Sequence, residues 1–333
     1  MAAVAEAACS SSHQTGCLGA GAGAVRSGVA AGSGFGILMR PYLLMLAGAM
    51  AFAVMGVFAH AADGHCGWQW VALARSGLAL LISVSLAGWQ RTELVFLRPG
   101  TLWIRSLAGS LSVLCNFYAL SHLPVSDALT LTNMFPVWIA VLSWPMLGRF
   151  PERDVWLSVA CSICGVAVMQ QSFPTSFGPG MLAAMTGSVT SAVALMGLHR
   201  LKGLPASAVV VHFSAVSTAI VAGGLGIEAC WSRSGVFAEA PATLTAAGLL
   251  LGVGVAATTG QLLLTRAFAA GAPARVSVVG LSQVVFAMLL EMLLWGRRPG
   301  LWSFTGMLLV TLPTAWLMLR RAPAEPESTS SDV

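Results

Sequence analysis

The sequence predicts an all-α integral membrane protein with ten transmembrane helices in two inverted five-helix repeats. Apolar stretches of about twenty residues recur along the chain, and a helix of that length crosses the roughly 30 Å hydrocarbon core of a bilayer. Only 9% of the residues are charged and 57% are apolar, whereas a soluble domain carries roughly 25% charged residues. In addition, the end of the fourth stretch is echoed at the end of the ninth.

Ten apolar stretches give the predicted spans. Their limits are 42–60, 68–88, 102–122, 126–147, 154–171, 179–199, 205–227, 243–268, 274–295 and 301–319. Proline and glycine mark two tight turns, with Pro124 before the fourth span and Pro299 and Gly300 before the tenth.

Basic residues predict that both termini lie in the cytoplasm, with the protein in a plasma or inner membrane. Cytoplasmic loops carry an excess of Lys and Arg, and a cytoplasmic N-terminus puts thirteen of the seventeen basic residues inside. The thirteen are Arg26, Arg40, Arg91, Arg98, Arg105, Arg149, Arg153, Arg200, Lys202, Arg266, Arg275, Arg320 and Arg321. Arg233, Arg297 and Arg298 fall outside, and Arg75 lies within a span. A nine-span alternative moves Arg297 and Arg298 inside but leaves 302–319 unexplained.

The two ends of the chain are predicted to be disordered tails, 1–39 and 322–333, because they are rich in small or polar residues without a periodic apolar face. A signal peptide is not expected, because a basic flank and an apolar core are missing. Translation from Met39 is an open alternative. The predicted repeats then occupy 40–172 and 178–321.

A shift of 148 residues brings spans four and five onto spans nine and ten. The motif Gly148-Arg149-Phe150-Pro151 then falls on Gly296-Arg297-Arg298-Pro299. Five spans per repeat is an odd number, so the second repeat is inverted relative to the first. Inverted repeats are typical of alternating-access transporters that bind substrate between the repeats.

Several motifs resemble a known family. The run Phe117–Leu120, together with Ser126–Ala128 and Pro136, resembles the third and fourth helices of EamA-like proteins of the drug/metabolite transporter superfamily. Arg75 resembles the arginine of that family's second helix. The resemblance covers 40–320 and implies a secondary transporter of metabolites or drugs, more often an exporter.

The sequence departs from the family at two helix ends. The family often has Gly-Glu at the end of helices four and nine, whereas this chain has Gly148-Arg149 and Gly296-Arg297, with Glu152 shortly after the first. The departure concerns the subfamily rather than the fold.

Ionisable side chains inside a bilayer indicate function. Arg75 and Glu291 are predicted to differ in depth by only about 5 Å, so they can pair. Asn116 and Asp127 fall near the same level, and together these residues predict a polar, substrate-facing wall in the outer half of a central cavity. The alternatives are a purely structural ion pair, a Glu291 that reaches the interface, and an Asp127 that only caps its helix.

A second polar group lies deeper, with His212, Gln261 and Gln283. His212 is a possible site of proton coupling, or else it hydrogen-bonds a neighbouring helix; Gln283 is predicted to bind substrate. Tyr118 and Trp138 are predicted to line an apolar part of the cavity, and for Trp138 lipid contact is equally open.

Backbone features add further expectations. Pro136 removes one backbone hydrogen bond and predicts a kink in the fourth span. Gly248, Gly252, Ala256 and Gly260 form a stripe of small residues for close helix packing.

Cysteines and motifs for bound groups predict no cofactor and no metal. Cys161 and Cys164 lie within one span without a second ligand pair. Cys66 and Cys230 both fall in predicted outer loops, where a disulfide is open.

The predicted function is transport of a small organic metabolite or drug-like solute, with spans 1–4 and 6–9 around a cavity. No ATP-binding motif is present, so gradients would supply the energy. A membrane-embedded transferase or lipid-modifying enzyme is the alternative, but its cluster of catalytic side chains is missing, so no enzyme is expected. The predicted partners are the solute and membrane lipids, with a homodimer left open. Nucleic acid is excluded because the basic residues lie between spans rather than on one face.

Overall fold

In this computed structural model, every regular secondary-structure element of the described residues is a helix. The structure describes residues 24–62, 64–97, 99–123, 125–148, 150–171, 178–231, 241, 243–296 and 300–320. Within these residues there are twelve helices and no strand. They are α1 (Ala24–Ala62), α2 (Trp68–Trp89), α3 (Gly100–His122), α4 (Val125–Thr132), α5 (Phe135–Leu147), α6 (Arg153–Gln170), α7 (Pro179–Arg200), α8 (Ala206–Trp231), α9 (Leu244–Ala270), α10 (Pro273–Gly280), α11 (Ser282–Trp295) and α12 (Leu301–Leu319).

Eight segments of the described chain are long and apolar enough to cross a membrane. They are Met39–Ala62, Trp68–Trp89, Asp127–Leu147, Pro179–Arg200, Ala206–Ile227, Leu244–Ala270, Pro273–Trp295 and Leu301–Leu319. The predicted spans 102–122 and 154–171 are also helical, as α3 and α6, but polar residues such as Arg105 and Asp154 lower their apolar character. The helical membrane fold is confirmed, and the count of ten spans remains a prediction.

Residue contacts group the chain from Met39 onward into one unit. The helix α1 begins at Ala24, inside the stretch 1–39 predicted as a tail. Several sequence predictions lie outside the described residues, namely those on 1–23, Arg98, Pro124, Arg149, Arg233, Arg297, Arg298, Pro299 and 321–333.

The fourth span is interrupted where Pro136 predicts a kink. The helix α4 ends at Thr132, and α5 begins at Phe135. Pro136 has no amide hydrogen and cannot donate to the Thr132 carbonyl. The side-chain amide of Asn133 donates to the Leu129 carbonyl at 2.7 Å, which caps the end of α4. The span is therefore two helices, α4 and α5, rather than one.

The ninth span is interrupted at the equivalent place, although it has no proline there. The helix α10 ends at Gly280 and α11 begins at Ser282, with Leu281 between them. Leu281 lies 148 residues after Asn133, the same spacing as the sequence echo. Both spans also end on a glycine in the left-handed region, Gly148 with φ 67° and Gly296 with φ 62°, a conformation that favours glycine.

Glycines allow close approach between helices. A Cβ added at Gly306 of α12 would lie 2.5 Å from the carbonyl oxygen of Gly165 of α6. On α9, a Cβ at Gly252 or Gly260 would meet phenylalanine rings of α1 at 2.8 Å and 3.0 Å. Gly248 has no neighbouring atom within 4 Å of such a Cβ. The predicted stripe of small residues therefore packs against α1 at Gly252 and Gly260, but not at Gly248.

Two ion pairs attach α6 to other helices. Arg275 of α10 donates to Glu152 at 2.6 Å and to the carbonyl of Arg320 at 3.3 Å. Arg320 also pairs with Asp154 of α6. Arg275, at the start of the predicted span 274–295, is only 4% exposed, because α10 packs against α5, α6 and α12.

One predicted loop position is corrected by the extent of α8. Cys230 lies within α8, which continues to Trp231, and not in a loop. The pairing of Cys66 with Cys230 therefore remains untested. Cys161 and Cys164 lie together on α6, as expected.

Candidate functional site

Arg105 carries a positive charge into the packed interior. It is the sixth residue of α3 and is only 3% exposed; its place on the cytoplasmic side remains a prediction. The guanidinium carbon lies 4.4 Å from the centre of the Phe213 ring on α8, which is a cation–π geometry. Glycine at 109 leaves room for this arrangement, because a Cβ there would overlap Nη1 of Arg105. Nε of Arg105 is buried without a hydrogen-bond partner.

Arg75 supplies a second positive charge. It is half-buried on α2. The next residue, Ser76, accepts a hydrogen bond from the Ser217 hydroxyl of α8 at 3.3 Å, and Ser217 lies one turn after Phe213. Across the residues that the structure describes, ion pairs join Arg275 and Arg320 to carboxylates, and none involves Arg75 or Arg105. The two arginines therefore lie on helices that both pack against α8, and neither has an ion-pair partner among the described residues.

His212 links α8 to α3. Its ring is 1% exposed, and its Nδ1 lies 2.7 Å from the Ser106 hydroxyl. The indole of Trp103 meets the ring edge-on at 4.7 Å, and Nε2 is buried without a partner. This geometry fits the alternative in which the histidine hydrogen-bonds a neighbouring helix, and a role in proton coupling remains a prediction.

Asn116 faces α7 from the second half of α3. A Cβ at Gly187 would lie 2.5 Å from its Oδ1, and that oxygen is buried without a hydrogen-bond partner. One turn earlier on α3, the hydroxyl of Ser112 bonds that of Ser191 on α7. The polar residues of α3 are thus directed into its contacts with α7 and α8.

The two predicted aromatic lining residues lie in different surroundings. Trp138 packs against the main apolar core, and its Nε1 is buried without a hydrogen-bond partner. Tyr118 is 37% exposed, and its ring stacks on that of His122 at 3.9 Å. No described contact brings Trp138 and Tyr118 together, so a shared cavity wall is still to be tested.

The remaining predicted site residues are spread over three helices. Glu291 and Gln283 are both half-buried on α11. Gln261 is 7% exposed on α9, and Asp127 lies in the first turn of α4. Among the described ion pairs none joins Arg75 to Glu291, and their pairing remains a prediction.

A pocket of about 300 Å³ opens where α1, α7, α8 and α9 lie close together. Its lining is mostly leucine, valine and alanine, with the cations Arg40 and Arg266 and the hydroxyl of Thr265. Both arginines are exposed. In the predicted orientation this pocket lies at the cytoplasmic side.

Sequence reasoning missed Arg105 as a site residue. A signal was present, since Arg105 falls inside the predicted span 102–122 rather than in a loop. An arginine at such a position can bend its long side chain toward the interface. The direction taken here, toward Gly109 and Phe213, depends on packing that the sequence alone does not show.

Helices that break inside apolar spans are a feature of polytopic membrane transport proteins. Residues 39–170 match the model of the EamA-like transporter family. The resemblance predicted from the sequence is confirmed by this match.

Curated relatives and a solved structure resemble a large part of the chain. This chain is 27% identical over 280 residues to a protein named pseudopaline exporter CntI from Pseudomonas aeruginosa (strain UCBPP-PA14). The alignment covers 83% of this chain and 95% of the relative. The chain is 26% identical over 244 residues to a probable transport protein of Saccharomyces cerevisiae, covering 66% and 68%. One solved crystal structure superposes with a TM-score of 0.69 at 17% identity, covering 84% of this chain and 97% of that one; this likeness shows the fold alone.

Proposed function

We propose that this protein is a secondary transporter that exports a small organic metabolite or drug-like solute by alternating access. The observation that carries the proposal is the coincidence of two helix breaks, at Asn133 and Leu281. A break leaves backbone groups without partners in their own helix, and a membrane tolerates such groups where they are buried in protein or line a cavity. Discontinuous helices at corresponding positions of two repeats are a feature of transporter binding sites.

Helix packing supports two inverted halves, 40–172 and 178–321. A twofold axis in the membrane plane would relate each of the first five spans to the span five places later. Such an axis would pair α2 with α8 and α6 with α12, and both pairs are in extensive contact. It would also relate the α3–α7 contact to the α9–α1 contact made at Gly252 and Gly260.

The proposed cavity lies between spans 1–4 and 6–9, and α6 and α12 serve as supports at the side. The close approach of Gly165 and Gly306 holds these two helices together, and so does the pair between Arg320 and Asp154. A fixed contact of this kind suits elements that stay in place while the two halves rock. Both termini would lie in the cytoplasm.

Export is the proposed direction. The relative that shares 280 aligned residues with this chain is named an exporter, and the alignment covers nearly all of that protein. The excess of basic residues on one side supports a single orientation in the membrane. No observation favours the alternative of a membrane-embedded transferase.

A counterflow assay in proteoliposomes tests the proposal. Purified protein is reconstituted, loaded with each member of a panel of metabolites and drugs, and its exchange with the labelled compound is measured without ATP. We expect saturable exchange of at least one solute, which protein-free vesicles do not show. Absence of exchange across the panel, with chemical conversion of a lipid or solute by the same preparation, would favour the transferase.

A further inference from the structure

The Arg105 side chain points in the direction opposite to the one usual for an arginine near the end of a membrane-spanning helix. An arginine near the end of a spanning helix ordinarily extends toward the interface, where water solvates its charge. Here the side chain runs along α3 toward Gly109, the next turn into the span, and lies against Phe213. A charge directed inward and desolvated is unfavourable unless an opposite charge meets it.

The interior contains a second positive charge and no described carboxylate for either. Arg75 precedes Ser76, which bonds Ser217 of α8 one turn from the Phe213 ring that Arg105 contacts, and like charges repel most strongly where water is excluded. Neither guanidinium takes part in an ion pair within the described residues. The arrangement is one that an anion would stabilise.

Buried polar atoms without hydrogen-bond partners concentrate on the same helices. Eight such side-chain atoms occur in the described chain, and six of them lie on α3, α7 and α8. The six are Arg105 Nε, Ser110 Oγ, Asn116 Oδ1, Ser188 Oγ, His212 Nε2 and Ser214 Oγ. Of these helices, α3 is in direct contact with both α7 and α8, and buried polar groups in proteins usually have a partner. Among these atoms, Arg105 Nε and His212 Nε2 belong to residues next to the Ser106–His212 and Arg105–Phe213 contacts, and these two orphan atoms favour a polar ligand at this place.

We propose that Arg75 and Arg105 together bind the carboxylate of an organic solute, so that the cargo belongs to the class of organic anions. This inference rests on the proposed transport function and specifies its substrate. A guanidinium presents a planar fork of N–H donors that matches a carboxylate in two parallel hydrogen bonds. The Phe213 ring covers one face of the Arg105 guanidinium, and Nε on its edge has no hydrogen-bond partner of its own.

Pairs of probes that share a shape but differ in charge test whether binding requires a carboxylate. The probes are N-acetyl amino acids, which carry a carboxylate, and the corresponding N-acetyl amino acid amides, which are neutral. Thermal stability of the purified full-length protein is measured against each pair over a concentration series. We expect at least one carboxylate to raise the melting temperature in a saturable manner, while its amide leaves the temperature unchanged.

Variants assign the effect to the two arginines. Arg105→Lys keeps the charge and the cation–π contact but lacks the planar fork, so it is expected to fold and to weaken binding of the carboxylate at least about tenfold, as does Arg75→Gln. Arg153→Gln removes an equal charge from an exposed position on α6 and serves as the matched control, with affinity unchanged.

Failure of the carboxylate site is distinguishable from failure of the transporter. Amides that bind as well as carboxylates, a panel in which no carboxylate binds, or Arg75→Gln and Arg105→Lys proteins that bind like the Arg153→Gln control would each overturn the proposal. Counterflow of neutral or cationic solutes alone would overturn the carboxylate site and leave the transporter standing. Carboxylates that bind but are not exchanged, with no exchange of any solute, would support the site and refute the transport function.

Discussion

Asn133 and Leu281 interrupt the fourth and ninth spans 148 residues apart. The helices before them, α4 and α10, each have eight residues and begin at positions that differ by the same 148. Only the first break has a proline beside it, so proline alone does not account for the pair. The matching positions of the breaks are what the proposed inverted repeats would require.

The break at Pro136 is expected to support transport. Pro136→Ala restores an N–H that can bond the Thr132 carbonyl and favours a continuous helix. We expect counterflow to fall several-fold with unchanged insertion into vesicles, measured as initial rate per inserted protein. Pro145→Ala, on the same helix α5 but away from the break, is the control and should exchange solute at the original rate. Equal rates for the two variants would contradict the role of the break.

Close approach of α6 and α12 is expected to depend on Gly306. In Gly306→Ala the new Cβ would lie 2.5 Å from the Gly165 oxygen and 2.6 Å from Cβ of Met169. Overpacking of this kind lowers the free energy of unfolding by about 1–3 kcal/mol, which titration with SDS can measure. Gly77→Ala has no atom within 4 Å of its Cβ and should leave stability equal or slightly higher. A Gly306→Ala protein as stable as Gly77→Ala would show that these helices separate freely.

Arg275 and Glu152 form an ion pair, and replacing one residue or the other is expected to lower the free energy of unfolding by different amounts. The Arg275 side chain is 5% exposed and that of Glu152 is 42% exposed. Glu152→Gln strands a buried charge and should lower the free energy of unfolding by about 1–3 kcal/mol, because losing one partner of a buried pair leaves the other uncompensated. Arg275→Met leaves a carboxylate that water can reach, so its effect should be smaller.

A double variant completes that comparison. Glu152→Gln with Arg275→Met should be more stable than Glu152→Gln alone, since no buried charge remains. Glu93→Gln, at an exposed position, controls for loss of a carboxylate. A double variant that is less stable than either single one would refute this account.

The features that were best predicted from the sequence are those that recur along it, namely the apolar helices and the echoed helix ends. Length and composition predicted the helices, and the echo at Gly148 and Gly296 predicted equivalent ends that the structure shows as two left-handed glycines. The break at Leu281 left no local signal, because it has no proline and its neighbours favour a helix. Arg105 could be placed in a span but not oriented, since its direction depends on Phe213, more than a hundred residues away. Periodicity determines which residues are helical, while side-chain direction depends on contacts between helices.

His212 is expected to act as a link between α8 and α3. If its bond with Ser106 stabilises that contact, the effects of His212→Gln and Ser106→Ala on stability should be non-additive, with a coupling of about 0.5–1.5 kcal/mol. Ser143→Ala, whose hydroxyl bonds within its own helix α5, should combine additively with His212→Gln. Counterflow driven by an imposed proton gradient adds a second readout. Loss of gradient-driven flux alone, with exchange preserved in His212→Gln, would instead assign the residue to proton coupling.

Variants of Arg75 and Glu291 distinguish two interpretations of Arg75. In one it forms a salt bridge with Glu291, and in the other it binds the carboxylate of the solute. Arg75→Ala is expected to abolish counterflow under both, while the protein remains folded and inserted. A salt bridge between them would let the exchanged variant, Arg75→Glu with Glu291→Arg, recover activity lost in each single change. If Arg75 binds the carboxylate of the solute together with Arg105, the exchanged variant stays inactive, because a carboxylate at 75 repels the anion. We expect the inactive outcome, checked by counterflow and by thermal stabilisation with the same N-acetyl amino acid. Recovery to a substantial fraction of the original rate would establish the pair and remove Arg75 from the anion site.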